Sequence, residues 1–390
     1  MKPRTIIILG LLVLIVLLGV WVYVFFGAPK DGEPGWGIFP KGDEGEPGIV
    51  IPPTPQPPVI NMERPRLRQL TTKPVAGFRE ISKIGQDTPY IYYVEAGDGY
   101  VFEIDLNTGE ERRLSNYLAK DRASSASIST DGRFVAIKSN NQRRLNSIEI
   151  IDTTNESDPL KKVLEENVDA FSIVDKNQLF YTTPKPAGLS ALAYNLETGS
   201  SSPLFTLPFY DVRVNWGTTS TSTHYVTNRP SFLLEGYLFS LRAGRLKREP
   251  AQGFGLTTIE TPEYIFASFL KSGQFHNQII KRGDGTTSQS NFRFLPEKCV
   301  PSSKTSGVIW CAYQEMTVPQ DFPDNWYRGE LGFADTIWQY DATISSTMML
   351  VDPLAEVGRE IDITDINIGE SEYALYFINK NDNTLWMYEL

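Results

Sequence analysis

The sequence predicts an all-β chain: a seven-bladed β-propeller whose N-terminal strand closes the last blade, preceded by a single transmembrane helix and a Pro/Gly-rich stalk. Three observations predict it. Seven times between Phe78 and Leu390 the chain repeats one cycle of short apolar strand, turn, alternating strand, tight hairpin, further strand and polar exit. A strand-only repeat of roughly 40 to 50 residues is the signature of a propeller. Residues 5–26 form an apolar run without a charged side chain, and residues 27–65 hold ten prolines and seven glycines. The expected organisation is therefore a cytoplasmic N-terminus at 1–4, an anchor at 5–26, an extracytoplasmic linker at 27–65 and the propeller at 66–390.

The anchor follows from length. TIIILGLLVLIVLLGVWVYVFF would make a helix about 33 Å long at 1.5 Å per residue, enough for a hydrocarbon core of about 30 Å. Lys2 and Arg4 precede it and mainly acidic residues follow, so the positive-inside rule keeps the N-terminus in the cytoplasm and sends the rest outside. Trp21, Tyr23, Phe25 and Phe26 fall where interfacial rings are favoured. A cleaved signal peptide would have a shorter apolar core and a small-x-small exit, whereas this run leaves through Phe26-Gly27-Ala28-Pro29. An uncleaved signal anchor in a cell membrane is expected. In the linker, GDEGEPG and IPPTPQPP cannot pack a core and favour polyproline II, a semi-rigid spacer reaching at most about 120 Å.

The repeat itself is clearest in ASISTDGRFVAIKSNNQRRLNSIEIID, residues 126–152. Inner strands are expected near Phe78, Ala126, Phe171, Val212, Leu256, Phe292 and Ile361. Hairpin tips such as Gly97-Asp98-Gly99 and Asn381-Asp382-Asn383 supply residues that tolerate positive φ, as tight hairpins require. The chain stops at Leu390, one strand short of a complete last blade. RLRQLTTKP at 66–74 reads like the outer strand EERRLSN at 110–116, and its position before the first blade is what ring closure demands.

A family resemblance rests on these residues. Ser129-Thr130-Asp131-Gly132-Arg133-Phe134-Val135-Ala136, followed by Ile148-Glu149-Ile150-Ile151-Asp152, resembles the repeat of TolB-like, WD-repeat-like propellers. Asp105-Leu106-Asn107-Thr108-Gly109-Glu110 and Asn195-Leu196-Glu197-Thr198-Gly199 are similar to that family's turn between its last two strands. The resemblance is clearest in blades one to three and implies the fold.

Composition narrows function by exclusion. With a net charge of -10 and Lys/Arg pairs scattered rather than gathered into a stripe, nucleic acid is not an expected partner. No HExxH, zinc-spaced cysteine set, Gly-x-Ser-x-Gly elbow or phosphate loop occurs, so no catalytic residue, metal or cofactor is assigned. His224 and His276 read as structural or surface residues. Cys299 and Cys311, the two cysteines, should face each other across a turn and form a disulfide outside the cytoplasm.

One blade departs from the pattern. Between VIWCAYQEM and TIWQYDA lies an insertion at 317–335, TVPQDFPDNWYRGELGFAD, where the other blades have a short hairpin. Asp321, Asp324, Trp326, Tyr327 and Arg328 are the candidate binding residues, since Trp, Tyr and Arg are enriched in interface hot spots. Packing of the aromatics onto neighbouring blades is the competing reading. The expected function is a non-catalytic protein-binding or scaffold module of the cell envelope, with an unidentified envelope protein as partner. The alternatives are an envelope hydrolase of glycans or peptides, with acidic residues at the channel mouth, and a structural spacer.

Overall fold

The computed structural model describes residues 64–390 apart from 84, 86, 87, 141–145, 156, 165, 166, 315–318 and 320. The expected anchor at 5–26 and nearly all of the expected linker lie outside the described residues. Among the described residues no helix is long and apolar enough to cross a membrane.

The described chain is all-β, and all its strands but the first pair antiparallel with chain neighbours. Strand β1 (Leu67–Gln69) is followed by a sheet of β2 (Val75–Ile81), β3 (Tyr90–Glu95), β4 (Val101–Asp105) and β5 (Glu111–Ser115). The second sheet holds β6 (Ala123–Ile128), β7 (Phe134–Asn140), β8 (Asn146–Asp152) and β9 (Leu160–Leu164). The third holds β10 (Phe171–Ile173), β11 (Gln178–Lys185), β12 (Gly188–Asn195) and β13 (Ser201–Leu207). A seven-stranded sheet comes next, with β14 (Val212–Asn215), β15 (His224–Asn228), β16 (Glu235–Arg242), β17 (Arg245–Glu260), β18 (Tyr264–Lys271), β19 (Gln274–Lys281) and β20 (Thr287–Gln289). The fifth holds β21 (Cys299–Pro301), β22 (Val308–Tyr313), β23 (Thr336–Asp341) and β24 (Ser346–Val351). The last holds β25 (Ile363–Ile368), β26 (Ala374–Asn379) and β27 (Thr384–Glu389), and takes β1 as its fourth strand.

That last pairing is the expected closure. Leu67 stands opposite Tyr388 and Gln69 opposite Trp386, and Arg68 pairs with Glu389 at 2.6 Å. The two ends of the described chain thus share one sheet, which leaves fewer unpaired edges.

Burial explains the sequence pattern of each strand type. A middle strand is covered on both faces by neighbouring sheets, so it reads as a continuous apolar run: Ala374–Asn379 is buried throughout. An outer strand meets solvent and carries charge, as in Glu111–Ser115, exposed over its first three residues. Facing sheets make the core. Ile91, Tyr93, Phe102 and Ile104 of the first sheet pack with Tyr376, Ile378, Leu385 and Met387 of the last. Tyr264, Phe266 and Ile279 pack with Ile309 and Tyr340 in the same manner.

The inner strand expected near Phe292 is not there; β21 begins at Cys299 instead. Asn277 brackets Phe294, donating to its carbonyl at 2.5 Å and accepting its N–H at 3.2 Å. Phe292 stacks on Tyr340 at 5.6 Å. Side-chain bonds and ring packing therefore hold this stretch where a ladder was expected, and a 3-10 turn at Pro296–Lys298 leads into the strand. Cys299 and Cys311 stand directly opposite across β21 and β22 and are joined by a disulfide, as expected.

Candidate functional site

Each sheet presents its first strand as an edge, and these edges β2, β6, β10 and β14 line one cavity of about 1600 Å³. The β15–β16 loop and a short helix α1 (Asp324–Tyr327) complete the wall.

Helix α1 divides the insertion into two sides. Trp326 points inward and is 3% exposed, packed with Leu295 and Phe322 and flanked by Phe275 and Phe333. Its indole N–H donates to Asp362 at 3.0 Å. Beneath it Lys298, itself buried, bridges Asp335 and Asp362, the latter at 2.5 Å. Asp335 also accepts the Ile363 N–H at 2.8 Å. Burial pushes the Asp335 carboxyl above its ordinary pKa despite the pull of Lys298. A buried cation held by two carboxylates, which an indole N–H and a backbone N–H also donate to, is a structural hub.

The other side of α1 faces the cavity through Asp324, Tyr327 and Arg328. Asp324 accepts the Phe232 N–H at 2.7 Å, which ties the helix to the β15–β16 loop. Tyr327 donates to Glu297 at 2.5 Å and lies under Arg213, whose guanidinium is 4.9 Å from the ring centre and pairs with Glu297. Arg328 pairs with Glu330 at 2.8 Å and reaches Asp321 at 3.5 Å. Of the five residues singled out from sequence, Asp324, Tyr327 and Arg328 share the cavity wall. Trp326 is core, and Asp321 is held to α1 by the Asn325 side chain, which donates to it at 3.0 Å.

Sequence reasoning missed the remaining charged wall. Arg79 on β2 and Lys138 on β7 reach it from consecutive sheets; Asp169 and Arg229 form a pair at 2.8 Å. Burial lowers the pKa of both Arg79 and Lys138. A second cavity of about 500 Å³ is lined by Glu260 and Asp365. Burial raises both carboxyls, against hydrogen bonds to Glu260 and the charge of Arg213 near Asp365. Asp365 sits at φ 48° in an irregularity of β25, which re-aims its side chain.

His224 is buried, its Nδ1 accepting the Gly217 N–H at 3.1 Å, with Phe180, Phe205 and Trp216 around the ring. Burial lowers its pKa. His276 stacks on Phe269 at 5.8 Å. Among the described residues no cluster of three or more His, Cys, Asp or Glu could hold a metal ion.

No protein-family model and no curated protein matches the chain. Solved structures do match it. A chain in the crystal structure of the mitotic checkpoint complex aligns at 11% identity with a TM-score of 0.52, over 93% of this chain and 99% of that one. The β-propeller domain of Cps50 (Swd1) from Myceliophteria thermophila aligns at 10% identity with a TM-score of 0.53, over 83% and 99%. These likenesses define the class: the fold is a WD-repeat-like β-propeller, in agreement with the resemblance read from the repeats. At such identities they carry fold alone.

Proposed function

We propose that the chain is a membrane-tethered, seven-bladed propeller, held outside the cytoplasm by residues 5–26 and spaced from the bilayer by residues 27–65. It acts there as a non-catalytic protein-binding module of a cell envelope, with a protein partner engaged at the cavity face of α1. Seven blades are supported by the long strand β17, which pairs with β16 at one end and β18 at the other and so serves as outer strand of one blade and inner strand of the next. The observation that carries the binding role is the division of α1. Trp326 fixes the helix from inside, leaving Asp324, Tyr327 and Arg328 placed on the wall of a large cavity, as a preformed binding surface requires.

A photo-crosslinking residue placed at Arg328 in the full chain, in cells, tests this. A discrete crosslinked partner absent from a control at Met348 on the outer strand β24 is expected. Identical products from both positions would contradict the assignment. Labelling of an engineered surface cysteine by an impermeant reagent in intact cells checks the topology, and protection of the propeller would overturn it.

A second reading, an envelope hydrolase of glycans or peptides, draws on Glu260 and Asp365, two carboxyls with raised pKa on one cavity. Hydrolysis of envelope glycan by the wild type and its loss in Glu260→Gln and Asp365→Asn would support that reading over binding.

A further inference from the structure

Three of the basic side chains on the large cavity have acidic partners. Arg229 pairs with Asp169, Arg213 with Glu297 and Arg328 with Glu330. Two do not. Among the described residues no carboxylate lies within ion-pairing distance of Arg79, and its buried Nη1 has no hydrogen-bond acceptor. Lys138 donates at 2.6 Å to the backbone carbonyl of Asp169 and likewise pairs with no carboxylate. Of the acidic groups on the same wall, Asp324 accepts a backbone N–H and Glu235 the Tyr237 hydroxyl, Asp169 acts on Lys138 only at longer range while paired with Arg229, and among the described residues Asp211 and Asp365 form no ion pair with either cation.

A guanidinium taken partly out of water without an acceptor is costly, and removal from water favours anion capture in its place. The two cations also sit on neighbouring structure. Strands β2 and β6 approach so closely that a Cβ on Gly77 would meet the Ala126 carbonyl at 2.2 Å, and Lys138 stands opposite Ser125 in β6. The rim of the same cavity carries the exposed apolar side chains Tyr210 and Leu234, 47% and 69% accessible, with Leu233 beside them. Neighbouring exposed leucines beside a cavity offer an apolar surface that a partner's side chain can cover.

We propose that Arg79 and Lys138 form the carboxylate-binding subsite of this cavity, and that its occupant is a partner's peptide segment carrying an acidic group beside an apolar side chain. The carboxylate lies against the cavity side of the Arg79 guanidinium and takes up the remaining Lys138 donors, while the apolar group covers Leu234 and Tyr210. This deepens the binding role assigned above and rests on it. A guanidinium keeps its charge even when partly buried, which suits it to a carboxylate.

The test uses phage-displayed random twelve-residue peptides selected on the full chain in mild detergent. Selected peptides are expected to be enriched in Asp or Glu next to an apolar residue. Their affinity should fall about 10-fold or more in Arg79→Gln and again in Lys138→Gln. Synthetic copies with free and amidated C-termini separate a terminal carboxylate from a side-chain one. Acid-free peptides that lose binding in Tyr327→Ala would overturn the subsite and leave the binding face standing. Acidic peptides that bind both Gln variants undiminished would overturn it too, and the absence of any enriched peptide would remove the subsite and the binding face together. Arg79→Gln should melt at or above the wild-type temperature and Lys138→Gln only slightly below it, having lost one hydrogen bond, which separates loss of binding from loss of fold.

Discussion

Lys298 and Arg79 are both basic side chains drawn out of bulk water in one propeller, and they are treated in opposite ways. Lys298 is bridged by Asp335 and Asp362 under the Trp326 indole. Arg79 lines a cavity with an unpartnered Nη1. Glu103 repeats the first pattern with reversed sign, held by Lys83 and Arg112, each at 2.7 Å. The difference separates charges that the fold consumes from charges that it leaves available. A buried charge with partners fixes neighbouring elements in register, whereas one without partners lowers stability until a ligand arrives.

Breaking the satisfied cluster should have the largest effect. Lys298→Met leaves two buried carboxylates without their cation, and urea unfolding should show a loss of about 3–5 kcal/mol. Next in size is the adjacent crosslink. The Cys299→Ser/Cys311→Ser pair should lose about 3 kcal/mol in the chain-entropy picture for a bridge spanning 12 residues in sequence. That result would show how much of this region's order comes from the bridge and how much from the ions.

The pH dependence sharpens the comparison from the acidic side. Burial alone would raise the Glu103 pKa, but hydrogen bonds from Lys83 and Arg112 outweigh it and hold the pKa below its ordinary value. With the folded pKa below the unfolded one of about 4.3, the unfolded chain binds the proton more readily. The stabilisation is then complete above that pH and is lost as pH falls through the folded pKa. Glu103→Gln should therefore be less stable than wild type at pH 7, and the gap should close under acid, as read from melting temperatures between pH 3 and 7. Last, Arg328→Ala removes exposed pairs only and should change stability by less than about 1 kcal/mol, with its effect confined to binding.

The sequence made the repeat legible because hairpin and strand signals are local. Gly97 and Gly99 adopt positive φ at the tip between β3 and β4, and Asn383 does so at the last hairpin. The closure through Leu67–Gln69 and the disulfide were legible for a different reason: chain order fixes which strands become neighbours. The inner strand expected near Phe292 failed because Asn277 captures Phe294 from another strand, a contact that no local pattern encodes. The hub escaped notice since Lys298 finds its partners 37 and 64 residues away. Arg79 left one usable signal, a charged side chain inside the inner strand VAGFREI, repeated by Arg213 in VRVN on the same wall. Of the candidate site, the insertion was visible as a length anomaly, but which of its side chains face the cavity follows from Trp326 being drawn into the core.

The most direct test of this division is urea unfolding of the Arg79→Gln/Lys138→Gln double variant beside Lys298→Met, both in the full chain at pH 7. Stability within about 1 kcal/mol of wild type for the double variant, with a loss of about 3–5 kcal/mol for Lys298→Met, is the predicted result. Comparable destabilisation of both would mean that Arg79 and Lys138 are structural charges like Lys298, and would contradict the claim that the cavity holds them ready for a ligand.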